Sequence, residues 1–159
     1  DGTLLQRRSI FVVAEEIGLI DQVMKIINDD IYNYEKTIEI AKLLRGVSKN
    51  KFMNIVKTIP LNDGVREVID ELKRKGVKTA IISAGYNLAS EIVKNKLGID
   101  FVLSNRLKVD KNDVLTGEVE MYNKNIVRIK GHCRSYSICK SDALRDPVSY
   151  THLTLPTKA

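Results

Sequence analysis

Up to Pro60 the apolar residues of the chain recur at three- and four-residue intervals, the period of an amphipathic helix. Four stretches carry it: SIFVVAEEIG ending at Gly18, IDQVMKIIND, YEKTIEIAKLLRG ending at Gly46, and SKNKFMNIVKTI running up to Pro60. Glycine and proline at the ends of such runs are helix stops, so the pattern predicts short helices with brief links. After Pro60 the period alternates. NDGVREVIDELKRKG reads as an amphipathic helix with Asp63 or Asn62 near its cap and Gly76 at its end. VKTAIIS is a nearly continuous apolar run, the pattern of a strand buried on both faces of a parallel sheet. NLASEIVKNKLG is helical again and DFVLSN strand-like again. RLKVDKNDVLTGEVEM reads as a hairpin turning at Lys111 to Asp113.

Helix, strand, helix, strand is the signature of an α/β layered domain. The expected architecture is a Rossmann-like core with a partial parallel sheet, its first strand missing, and a small helical cap inserted after the first motif. The expected divisions are 1–5 as the end of a first core motif, 6–59 as the cap, 60–131 as the core and 132–159 as a tail. SDALRDPVSYTHLTLPTKA has no sustained period and resembles translated vector read-through, so 132–159 is expected to be non-native or disordered.

Composition narrows the chemistry. At 159 residues with 43% apolar residues, the chain is long enough for one domain with a core. No apolar run approaches the roughly 18 residues that would span a bilayer, and a cytoplasmic setting without membrane contact is expected. The net charge of +6 comes from basic residues alternating with acidic ones, as in REVIDELKRKG, which is a solvated helix face rather than a nucleic-acid track. Both histidines and both cysteines fall after Gly131. The first 131 residues therefore offer no thiolate, no Ser-His pair and no His/Cys zinc site. Any catalysis there must rest on carboxylates, hydroxyls, Lys, Arg and backbone amides, with or without a hard metal ion.

Three places could supply it. The opening DGTLL is a turn signal, Asp1-Gly2, ahead of the helical unit. In AIISAGYN, Ser83 stands at the carboxyl end of the predicted strand, where open α/β sheets bind ligands. Ala84 and Gly85 are small enough to let an anion approach the backbone, and the next helix adds the positive end of its dipole. Past the hairpin, Lys130 in RIKG could offset negative charge, with Lys124 in YNKN as its rival.

Together these segments resemble the haloacid-dehalogenase-like phosphatases, most closely the phosphoserine phosphatase branch. The resemblance runs from Asp1 to about Gly131 and includes IPLNDGVREVIDELKRKGVKTAIISAGYN, KLGIDFVLSNRL and LTGEVE in order. It implies a magnesium-dependent phosphomonoesterase that works through an aspartyl-phosphate on a small phosphorylated metabolite. In the family motif D-x-D-G-T the first Asp attacks phosphorus. The second, matched by Asp1, protonates the leaving oxygen and ligates Mg2+ through its backbone carbonyl. Thr3 supports the motif, Ser83 bonds the transferring phosphoryl group and Lys130 offsets charge on nucleophile and phosphate. Carboxylate, lysine and a hard cation are sufficient for such a transfer, because phosphoryl transfer depends mainly on positioning and charge stabilisation.

Three departures accompany the resemblance. The nucleophile belongs two positions before Asp1 and the acidic fourth motif after Gly131, so the 159 residues alone are expected to be inactive. The family's acidic residue for a substrate ammonium is matched by Arg8, which suits a carboxylate or second phosphate instead. Arg45 is a loose candidate for a substrate-carboxylate arginine. Alternative readings are a phosphotransferase or mutase of the same fold, or a non-catalytic member that binds a phosphorylated ligand.

Overall fold

The computed structural model describes residues 2–145. Asp1 and residues 146–159, including His152, lie outside the described residues. The helical stretches before Pro60 form as four helices: α1 (Ser9–Glu16), α2 (Ile20–Asn28), α3 (Asn33–Leu43) and α4 (Lys49–Lys57). They close around Val13, Val23, Leu44, Phe52 and Val56, all buried. α5 (Val65–Arg74) follows, then β1 (Ala80–Tyr86), α6 (Asn87–Leu97), β2 (Phe101–Val109) and β3 (Leu115–Glu120).

The sheet order is β1-β2-β3. β1 and β2 run parallel over Ala80↔Phe101 to Ser83↔Ser104, and β2 then pairs antiparallel with β3 through the expected hairpin. The Asp110 carboxylate builds that turn by accepting from the N–H groups of Asn112 and Val114 at 2.8 and 3.0 Å. α6 packs on β1 and β2, α4 on α1 and α6, and the cap helix α3 on β3. Cap and core therefore share one continuous apolar cluster.

Three expectations need correction. α5 is not capped by Asp63 or Asn62: Gly64, at φ +77°, holds the N-cap position without a side-chain bond. The Asn62 carboxamide is taken by the chain near residues 2–5. The apolar run does not end at Ser83 either, since β1 continues through Ala84 and Gly85 to Tyr86 and only Tyr86 is fully buried. Among the described residues β1 has a ladder partner on one edge alone, so its other residues stay partly open. Finally, residues 132–145 are not a structureless tail. A 3-10 turn at Cys133–Ser135, a Cys133–Cys139 disulfide and the short α7 (Lys140–Arg145) fold onto the core, burying Ser135, Ser137, Ile138 and Ala143. The polar side chains there have specific buried partners, which a search for hydrophobic period does not detect.

Candidate active site

The segment after Asp1 is held beside the core by Asn62. Its Nδ2 donates to the Thr3 carbonyl at 2.8 Å and to those of Gly2 and Leu5 at 3.3 Å, while its N–H donates to the Leu4 carbonyl at 2.9 Å. A Leu5↔Leu61 bridge fixes the register. One carboxamide thus gathers the carbonyls of a turn that would otherwise lack donors.

Leu4 and Leu5 come to rest against the end of β1. A cleft of about 30 Å³ there is lined by Leu4, Leu5, Ser9, Ser83, Gly85 and Ser90, among others. That is room for about one water-sized group, so a larger ligand has to sit at its mouth. Between the lining residues Ser83 and Gly85, Ala84 is exposed. Ser83 Oγ accepts from the Gly85 N–H at 3.0 Å, which uses a lone pair and leaves the hydroxyl proton to donate outward. α6, eleven residues long, starts two residues beyond Gly85 and directs the positive end of its dipole at the same loop.

Two buried residues that sequence reasoning did not single out shape this loop. The Asn105 carboxamide, wholly buried, donates to the Ala84 carbonyl at 2.8 Å and accepts from the Tyr122 N–H at 3.1 Å. Tyr86 donates its phenol proton to the Thr37 carbonyl of α3 at 2.6 Å, and burial pushes its pKa far above the usual phenol value. The only sequence signal for either was a polar or aromatic residue at the end of an apolar run.

The other predicted residues are placed elsewhere. Lys130 does not line the cleft: its exposed ammonium pairs with Asp30 in the link between α2 and α3, which lowers the Asp30 pKa and raises that of Lys130. Lys124 pairs with Glu120 at 3.0 Å. Arg45 donates from Nε to the Thr116 carbonyl at 2.9 Å, anchoring the cap on the hairpin instead of lining the cleft. Arg8 is exposed at the start of α1, its guanidinium 5.5 Å from the Phe11 ring centre, and its neighbour Ser9 does line the cleft. Thr3 is exposed beside Leu4. The general-acid assignment to Asp1 lies outside the described residues. Among the described residues, no group of three or more His, Cys, Asp or Glu side chains is arranged to hold a metal ion. No described helix is long and apolar enough to cross a membrane.

A mixed sheet flanked by helices, with four helices ahead of it in the chain and a bulged loop at the carboxyl end of β1, is a Rossmann-like α/β arrangement. The chain belongs to the haloacid dehalogenase-like hydrolase family, whose model matches residues 1–136. It is 35% identical over 124 residues to a phosphoserine phosphatase of Methanocaldococcus jannaschii, a match covering 76% of this chain and 58% of that protein. A solved substrate-bound phosphoserine phosphatase complex superposes with a TM-score of 0.67 at 32% identity, over 76% of this chain and 59% of the other. A phospho-aspartyl intermediate analogue of phosphoserine phosphatase superposes with a TM-score of 0.66, also at 32% identity, over 76% of this chain and 59% of the other. The chain thus spans less than two thirds of the length of these relatives.

Proposed function

We propose that this chain is the cap and phosphate-binding part of a phosphomonoesterase that acts on a small phosphorylated metabolite through an aspartyl-phosphate. The observation that carries the reading is the Ser83–Gly85 loop. A serine hydroxyl with its lone pair engaged, small residues and the N-terminus of α6 converge beside the Leu4–Leu5 segment. Such a site stabilises negative charge on a transferring phosphoryl group with fixed dipoles. The phospho-aspartyl analogue of a relative supports the covalent route for this chain.

In this reading Asp1 gives its proton to the leaving oxygen, and a carboxylate two positions before it attacks phosphorus. Lys130 reaches the phosphate only by leaving Asp30. Mg2+ would neutralise charge on the phosphoryl oxygens, with the Asp1 carbonyl as one donor. Among the described residues no three His, Cys, Asp or Glu side chains are grouped to complete such a site. Arg8, exposed beside the cleft residue Ser9, favours a substrate with a second anionic group over one that presents an ammonium there.

Inorganic phosphate titrated into the 15N-labelled chain tests the reading. The Ser83, Ala84 and Gly85 amides should shift, and Ser83→Ala should weaken binding about tenfold, the worth of one hydrogen bond to a charged group. Shifts confined to other residues, or unchanged affinity in Ser83→Ala, would refute it. The 159 residues alone should release no phosphate from a phosphomonoester with Mg2+; measurable turnover would overturn the assignment of the nucleophile.

A further inference from the structure

Between the pairs Ser83↔Ser104 and Tyr86↔Asn105, β1 advances three residues where β2 advances one, so Ala84 and Gly85 bulge out of the ladder. A bulge in a parallel pair is uncommon, and it strips carbonyls of their strand partners. Here one side chain replaces the missing ladder. Asn105 Nδ2 donates to the Ala84 carbonyl at 2.8 Å, lies 3.4 Å from that of Gly85, and donates to Ser137 Oγ at 2.8 Å. Its Oδ1 accepts from the Tyr122 N–H at 3.1 Å. These partners fix the orientation of the carboxamide, because the flipped form would set oxygen against the Ala84 carbonyl and N–H against N–H.

The Ala84–Gly85 peptide is planar, so its C=O and N–H point in opposite directions. A carbonyl held inward by Asn105 turns the Gly85 N–H outward, where it meets Ser83 Oγ at 3.0 Å. That contact in turn sets the direction of the Ser83 hydroxyl proton. Asn105 is wholly buried, so it acts on the loop from inside the protein. We infer that Asn105 is a positioning residue of the anion-binding loop: it acts through the Ala84–Gly85 peptide to orient the Ser83 hydroxyl. This inference rests on the phosphate-binding reading of the loop.

The test compares Asn105→Ala, the near-isosteric Asn105→Asp and Ser137→Ala in the full chain, with far-UV circular dichroism as the check on folding. Asp keeps the acceptor for Tyr122 but, when ionised, has no N–H for the Ala84 carbonyl. Ser137→Ala disturbs the same buried cluster and leaves the Ala84 bond in place. At pH 8, Gly85 amide exchange should quicken about tenfold relative to α5 amides in both Asn105 variants, and the Kd for inorganic phosphate should rise five- to tenfold. Ser137→Ala should stay within twofold on both measures. Unchanged Gly85 exchange in Asn105→Asp, or an equal loss in Ser137→Ala, overturns the inference. Should phosphate leave the wild-type Ser83–Gly85 amides unmoved, the functional reading fails, and Gly85 exchange alone then decides the role of Asn105.

Discussion

Replacing Tyr86 by Phe should weaken the protein at neutral pH and strengthen it in alkali. The ring is 6% exposed, and its hydroxyl makes a 2.6 Å bond to the Thr37 carbonyl across the cap–core boundary. Losing one such neutral bond costs about 1 kcal/mol. Burial holds the phenol neutral in the folded state, well past the ordinary value of about 10 that it regains on unfolding. An acid whose folded pKa is raised contributes its full stability below the unfolded value and loses it as pH climbs toward the folded one. Above pH about 10 the unfolded chain sheds this proton while the folded chain keeps it, and stability falls by about 1.4 kcal/mol per pH unit. The Tyr86→Phe variant has no phenol proton at this position and loses nothing by this route. The two stability curves should therefore cross near pH about 10.7, where the alkaline loss equals the worth of the bond. Urea unfolding followed by circular dichroism between pH 7 and 11.5 reads both curves. An offset that stays constant through the alkaline range would refute burial of the phenol, and no offset at pH 7 would refute the tether.

Gly117 and Gly46 both sit at positive φ, +82° and +86°, but only at Gly117 would a Cβ meet packed atoms, 3.0 Å from Arg45 Cβ and 3.4 Å from the Lys42 carbonyl. Gly46→Ala should cost about 1–2 kcal/mol for the left-handed backbone alone, and Gly117→Ala about 1–2 kcal/mol more; equal urea midpoints would contradict the close approach of hairpin and cap. Asp100 accepts from the Thr79 N–H at 2.9 Å, from the Thr79 hydroxyl at 3.1 Å and from Lys78 at 3.1 Å, and the Thr79 amide leads in holding its pKa below the usual value. Its contribution is complete above the unfolded value of about 4 and disappears as pH falls through the lower folded value. Asp100→Asn should thus cost about 1 kcal/mol at pH 7, with a gap that closes in acid; a pH-independent gap between thermal melts would exclude the charge as its source.

The four cap helices and the hairpin were legible because each is specified locally. Helical period ends at Gly18, Gly46 or Pro60, and the Asp110–Asp113 turn carries its own hydrogen-bond acceptor. The strand before α6 was legible for a similar reason, as an apolar run ahead of a helical period, although it extends past Ser83 to Tyr86. What failed to show was everything decided by distant partners. Asn62 looked like a helix cap, yet its carboxamide serves carbonyls about sixty positions earlier in the chain. Arg45 looked available to a substrate until β3 came to rest on α3. Lys130 looked like a site lysine, but its ammonium pairs with a carboxylate one hundred residues away. The bulge at Ala84 and Gly85 exists only relative to β2, so no reading of β1 alone could find it.

These long-range bonds have a common location. Asn105 reaches the loop from β2, Ser137 joins Asn105 to the Thr37 hydroxyl of α3, and Tyr86 reaches the Thr37 carbonyl from the loop's far end. The Ser83–Gly85 loop and α3 are thereby fixed by one buried polar cluster at their boundary. An apolar contact of the same area would stabilise the boundary as well, but it would tolerate sliding, since apolar contacts have little directionality. A hydrogen-bonded cluster does not, because each partner left unsatisfied inside the protein costs about 1–3 kcal/mol. The arrangement that pairs all of these groups is therefore favoured over any that breaks one, and in it the Ser83–Gly85 loop and α3 hold a defined mutual orientation. Rotation of the cap by even one hydrogen-bond length would break the Tyr86–Thr37 and Ser137–Thr37 contacts together.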